Sequence, residues 1–192
     1  MVSSVNLAIL FIILQISIVI KNLDSKQYHN FFWFCDFVPF LFAMGFLFGG
    51  TQFVKSLINI GLAGQILALL TIPTVRVSEW KKGKLLHGKF YLVTEFLIHT
   101  TALVALIATY ETAPKIISVG YSAITLSVMF FVTLSFAPRK DNVNALYALD
   151  YDYGPKKPKR IKLPWHTYMW IFYALIISIV TFLIQYILYI SI

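Results

Sequence analysis

The stretch FFWFCDFVPFLFAMGFLF, residues 31–48, decides how the rest of the chain is read. It carries one charged side chain, Asp36, among aromatic and aliphatic residues. A helix needs about 20 such residues to cross the ~30 Å hydrocarbon core of a bilayer. Working outward, five more runs share this character, which places expected spans at roughly 4–20, 31–48, 53–72, 90–110, 115–137 and 166–190. In lipid a spanning backbone must satisfy its own polar groups, and the alternation that a membrane barrel requires is absent. The expected fold is all-α: a polytopic helix bundle of about six transmembrane helices, with residues 1–192 as one transmembrane domain.

Composition agrees. The 192 residues are 59% hydrophobic and 12% charged, whereas soluble domains carry about 25% charged residues. No soluble domain fits between the spans. The first span has no basic residue before it and "IKNLDS" after it, so it reads as a retained helix and not as a cleaved signal peptide.

The charge pattern predicts orientation. All basic residues except Lys55 and Lys115 fall in 21–30, 73–89 and 138–165, the odd-numbered loops. The positive-inside rule puts these loops in the cytoplasm and both termini outside a multi-pass cell-membrane protein. A net charge of +8 suggests nucleic acid in a soluble chain. Here it follows topology, and no nucleic-acid partner is expected. The run PKKPKRIK, 155–162, stands just before the last span. Lys156, Lys157, Lys159, Arg160 and Lys162 are candidates for contact with anionic lipid, at about 1 kcal/mol per basic side chain near the surface. The bland alternative is that they only fix topology.

Ionisable groups inside spans are costly and mark candidate sites. Asp36 lies in the second expected span; Glu95 and His99 lie in the fourth. Asn59 and Gln65 add uncharged polar groups in the third. Glu95 and His99 are four apart and share a helical face, where a carboxylate can orient an imidazole. At 1.5 Å per residue, His99 falls about 14 Å into its span and Gln65 about 10 Å from the end of its own. Cys35, Asp36, Gln65, Glu95 and His99 therefore share the cytoplasmic half.

Cys35 is the only cysteine, so no internal disulfide is possible. A buried cysteine is usually a small hydrophobe, but one served by a histidine base is a nucleophile. Pro39 is expected to kink the second helix just after it. Gly45 and Gly49, with Gly61 and Gly64 on the next helix, suggest close helix approach. His29, His87 and His166 read as solvated, and no metal spacing links them. Trp33, Trp80, Trp165 and Trp170 read as interfacial anchors. There is no glycine-rich phosphate loop, serine elbow or repeat, and neither cofactor nor metal is expected.

The order of these blocks resembles the YwaF-like integral membrane family. FFWFCDFVPFLFAMGFLFGG is similar to its second-helix block, where a cysteine just inside a helix precedes Asp or Asn. LINIGLAGQILALLTIP, FYLVTEFLIHTTALVAL, DNVNALYAL and LPWHTYMWIFYALIISIVTFLIQY resemble the blocks that follow, over about residues 5–190. The family usually has His two residues before the cysteine, where this chain has Trp33, and it usually has about one more helix before the first. Eukaryotic relatives include a phospholipid acyltransferase with a cysteine nucleophile and a histidine. The resemblance implies Cys35 as nucleophile and His99 as base.

Three functions stay open. The first is cysteine-dependent acyl transfer or hydrolysis on phospholipid esters, with membrane lipids as partners and a lysophospholipid as acceptor. In that reading Glu95 orients His99, and Gln65 or Asn59 donates to the oxyanion. The second is a small-molecule transporter or its substrate-binding membrane subunit. The third is a non-catalytic membrane scaffold.

Overall fold

The apolar runs fold as helices, as the cost of unpaired backbone in lipid requires. The computed structural model describes residues 3–24, 26, 28–80, 88–137, 143–146, 149–152, 159–161 and 165–191. Seven α-helices are seen there: α1 (Ser4–Asp24), α2 (Phe34–Leu47), α3 (Thr51–Trp80), α4 (Gly88–Ile98), α5 (Thr101–Ala108), α6 (Ile116–Phe136) and α7 (His166–Ile190). A small antiparallel hairpin, β1 (Leu149–Asp152) with β2 (Lys159–Ile161), decorates the loop between α6 and α7.

Among the described residues four helices are long and apolar enough to cross a membrane: α1, α3 over Thr51–Leu70, α6 and α7. The pair α4 and α5 makes a fifth candidate, bent by 48° at the break between them. The shorter apolar helix α2 has 14 residues, a rise of about 21 Å, and a 3-10 turn, Tyr28–Phe32, leads into it. The all-α membrane bundle expected from the sequence is thus present, and about six spans is compatible with these helices.

Helix α3 is the axis. It contacts α2, α5, α6 and α7, and half of its apolar window is buried against 17% for α7. The tightest seam joins α1 to α2, where Phe11 stacks on Phe42 at 5.3 Å and on Phe46 at 5.9 Å between ring centroids. Outward faces stay apolar: Ile9, Ile13, Ile16 and Ile20 of α1 and Ile124, Val128 and Phe131 of α6 are exposed. On a soluble protein such a belt would be an aggregation patch; around a bundle it is the lipid contact.

The turn from α2 into α3 depends on two glycines. Gly49 has φ +68°, the left-handed conformation that ends helices, and the Gly50 N–H closes on the Gly45 carbonyl at 2.9 Å. At Gly45, an added Cβ would fall 2.6 Å from Val54 Cγ2 of α3. At Gly64 it would meet nothing within 4 Å. Helix association in lipid relies on such close packing. Gly45→Leu is therefore expected to cost about 1–3 kcal/mol, read as a lower midpoint of thermal unfolding in detergent, while Gly64→Ala does not lower that midpoint.

Candidate functional site

The site is built where α1, α2 and α4 converge. Helix α1 runs on to Asp24, so Lys21 lies in its last turn and not in a loop, as its place beyond the first apolar run suggests. Lys21 is buried, and its Nζ lies 2.6 Å from Glu95 Oε1 of α4 and 3.7 Å from Asp36 Oδ2 of α2. Asn22 Nδ2 donates to the same Asp36 oxygen at 2.8 Å, and Asn30 Nδ2 donates to Asn22 Oδ1 at 3.4 Å. Tyr91 of α4 donates to Asp24, closing the outer edge of the same contact. The buried Asp36 and half-buried Glu95 need this pairing, since desolvation is not repaid otherwise.

Cys35 sits one residue inside α2, half-buried, against Leu14, Ile18 and Ile98. Two devices fix the backbone around it. Asn144, in a left-handed conformation with φ 55°, reaches in from the loop after α6. Its Oδ1 accepts the Phe34 N–H at 2.7 Å, and its Nδ2 donates to the Phe32 carbonyl and to Thr133 Oγ1. Trp170 Nε1 donates to the Asn144 carbonyl at 2.9 Å, so α7 holds Asn144 in turn. The second device answers Pro39, which has no N–H to return to the Cys35 carbonyl. One residue on, Gln15 of α1 donates to the Asp36 carbonyl at 3.1 Å and accepts the Phe40 N–H at 3.2 Å. A neighbouring side chain thus supplements the ladder of α2 where the proline interrupts it.

His99 stands at the break between α4 and α5, where helical bonding lapses and side chains take over the freed carbonyls. Thr100 Oγ1 donates to Leu97 O and Thr101 Oγ1 to Ile98 O, both at 2.9 Å. His99 Nδ1 lies 2.7 Å from the Glu95 carbonyl. A carbonyl can only accept, so Nδ1 carries a proton, and in the neutral ring Nε2 is then the basic nitrogen. The Glu95 carboxylate, expected beside His99, is given to Lys21 instead. Gln65 of α3 caps the new helix: its Oε1 accepts the Ala102 N–H at 2.8 Å and its Nε2 donates to Thr101 Oγ1 at 2.7 Å.

The polar residues singled out in the sequence thus divide. Asp36 and Glu95 meet through Lys21. Cys35 packs against the cluster that contains Ile98, the neighbour of His99, and no hydrogen bond joins the Cys35 and His99 side chains. Asn59 belongs to another network: its Nδ2 reaches Ser118 and Ser122 of α6 at 3.4 Å, and its Oδ1 accepts Gln185 Nε2 of α7 at 2.6 Å. Asn59 Nδ2 thus has both of its hydrogens engaged, whereas Gln65 Nε2 uses one of its two. In the basic run, Lys156, Lys157 and Lys162 lie outside the described residues. The hairpin register sets Arg160 opposite Asp150 and Lys159 opposite Asp152. Two expectations need correction: His166 is buried and not solvated, and Trp170 is a buried, hydrogen-bonded side chain and not an interfacial anchor. Trp165 is exposed, as an anchor would be. His87 lies outside the described residues, as does the side chain of His29.

Sequence reasoning passed over Lys21, Gln15, Asn22 and Asn144. Asn22 and Lys21 follow an apolar run without a helix breaker, and that was the available signal. Among the described residues no group of three His, Cys, Asp or Glu could hold a metal ion.

The chain belongs to the TMEM164 family, which it matches over residues 1–189, and is an integral membrane protein. No curated protein and no solved structure matches it.

Lys21→Met leaves two carboxylates without their cation. It is expected to destabilise the bundle by about 3–5 kcal/mol, measured by detergent-mediated unfolding. The triple variant that adds Asp36→Asn and Glu95→Gln is expected to recover most of that loss.

Proposed function

We propose that the protein is a cysteine-dependent acyltransferase or hydrolase acting on phospholipid esters, with Cys35 as nucleophile and His99 as base. One observation carries this reading: the Glu95 carbonyl engages His99 at Nδ1, which makes Nε2 the basic nitrogen of the neutral ring, and the only thiol packs against the cluster that contains Ile98, the neighbour of His99. The YwaF-like resemblance supports the same pair.

The chemistry then runs in two halves. His99 Nε2 takes the Cys35 proton, and Sγ attacks the ester carbonyl of a phospholipid. The tetrahedral intermediate places its negative oxygen at the amino-terminal turn of α2, where the Cys35 N–H has no carbonyl partner of its own and the helix end favours negative charge. The intermediate collapses to a thioester, and His99 returns the proton to the departing lysophospholipid alkoxide. In the second half, His99 accepts a proton from a lysophospholipid hydroxyl or from water, that oxygen displaces the thiolate, and His99 returns the proton to Sγ. The contact of Sγ with the ring closes when the ester is bound, since catalytic hydrogen bonds are often long in the free enzyme. Lys21 keeps the two nearby carboxylates from opposing the thiolate.

The substrate would enter from the face carrying the basic loops, which the positive-inside rule assigns to the cytoplasm. There Lys156, Lys157, Lys159, Arg160 and Lys162 would meet anionic headgroups. A transporter is the second reading, favoured by the broken α4–α5 pair, since discontinuous helices line substrate sites in transporters.

The test uses the purified protein and a phospholipid bearing an alkyne-tagged acyl chain. The expected result is a hydroxylamine-labile tag on Cys35, absent in Cys35→Ala and formed about 100-fold more slowly or worse in His99→Ala. Added lysophospholipid should discharge it. A tag that persists in Cys35→Ala would sink the proposal. So would labelling indifferent to His99, and solute uptake unchanged in Cys35→Ala would then favour transport.

A further inference from the structure

The opposite end of the bundle holds a second polar feature that the acyl-transfer reading does not use. Lys55 lies in the second turn of α3 with 1% of its surface exposed. Among the described residues its ammonium has neither an ion pair nor a hydrogen-bond partner. A lysine near the end of a membrane helix normally extends to the interface. Lys55 instead lines a cavity of about 260 Å³, together with Ile107, Tyr110, Gln185, Leu188 and Tyr189. In the same wall Gln185 keeps its Oε1 buried without a hydrogen-bond partner, although its Nε2 is satisfied by Asn59 and the Lys55 carbonyl. An unpaired cation and an orphaned acceptor in one cavity are expensive in this surrounding.

The cavity opens toward lipid. Ile107 is 63% exposed, and Tyr110, Leu188 and Tyr189 are also at the surface. Its depth suits a headgroup. Lys55 is four residues after Thr51, where α3 begins, and Gln185 is five before Ile190, where α7 ends. Each is roughly 6–8 Å from its helix end at 1.5 Å per residue. Two tyrosines at that level fit the membrane–water boundary.

We propose that this cavity binds one anionic acyl lipid from the leaflet opposite the basic loops. Its phosphate or carboxylate oxygen pairs with Lys55 Nζ, its acyl chain runs over Ile107 and Leu188, and a hydroxyl or N–H, where the headgroup carries one, donates to Gln185 Oε1. The inference does not depend on the chemistry at Cys35.

The experiment measures lipid binding to the full chain in neutral detergent by native mass spectrometry, with thermal midpoints as a second readout. The probes are dioleoyl phosphatidylglycerol, oleate, dioleoyl phosphatidylcholine and inorganic phosphate. One phosphatidylglycerol or oleate should stay bound to the wild type in preference to phosphatidylcholine, and which of the two holds better identifies phosphate or carboxylate as the anion. Lys55→Met should weaken that binding about tenfold or more, and Lys55→Arg should retain it. Ile107→Trp keeps the cation but fills the mouth, and should also lose binding; it carries the test if Lys55→Met fails to fold. Equal binding in wild type and both disabling variants would overturn the proposal. So would protection by inorganic phosphate alone, or equal retention of phosphatidylcholine.

Discussion

A single ammonium group ties together the helices at the Cys35 end of this bundle. Lys21 Nζ lies between Glu95 of α4 and Asp36 of α2, and it comes from α1, so three helices share one buried charge contact. The bilayer makes this contact decisive. Apolar faces gain little from choosing each other over lipid tails, whereas ionised groups have nowhere else to be satisfied. The apolar seam of Phe11, Phe42 and Phe46 can be filled in many ways, but the ion contact admits one register of α1 against α2 and α4.

The backbone is weakened at two points, and both lie beside the candidate nucleophile and base. Pro39 deprives the Cys35 carbonyl of its usual donor, and Gln15 supplements the ladder one residue on. The α4–α5 break frees carbonyls that Thr100, Thr101 and His99 take up. Each departure from a straight helix is answered by a polar side chain, as an environment without water demands. At His99 that repair has a chemical consequence, because a neutral ring bound at Nδ1 has its basic nitrogen at Nε2.

The two ends of the bundle are unlike. The end near Cys35 is crowded with paired groups: Lys21 with its carboxylates, Asn22 with Asp36, and Asn144 tying α2 to α6 and α7. The other end has the Asn59–Gln185 network and, beside it, the cation of Lys55 in a cavity that opens between exposed apolar side chains. Membership of the TMEM164 family covers nearly the full chain and so embraces both ends.

Hydropathy by itself determined that this is an all-helical membrane protein and roughly where its helices run, because lipid leaves few alternatives for a charge-poor run. It also picked out Asp36, Glu95, His99 and Gln65, because polar groups are rare enough in such runs to be conspicuous. It did not reveal their partners. Lys21 looked like a loop residue because topology rules count basic groups by distance from apolar runs, and only the continuation of α1 carried it inside. Glu95 and His99 have the right spacing for a side-chain pair, yet the nearby ammonium attracts the carboxylate more strongly than a neutral imidazole does. Asn144 is distant in sequence from Cys35 and becomes its neighbour only when the loop after α6 folds back on α2. Local pattern reports the solvent each residue must face, and tertiary structure alone decides which polar groups meet, because those pairings join residues far apart in the chain.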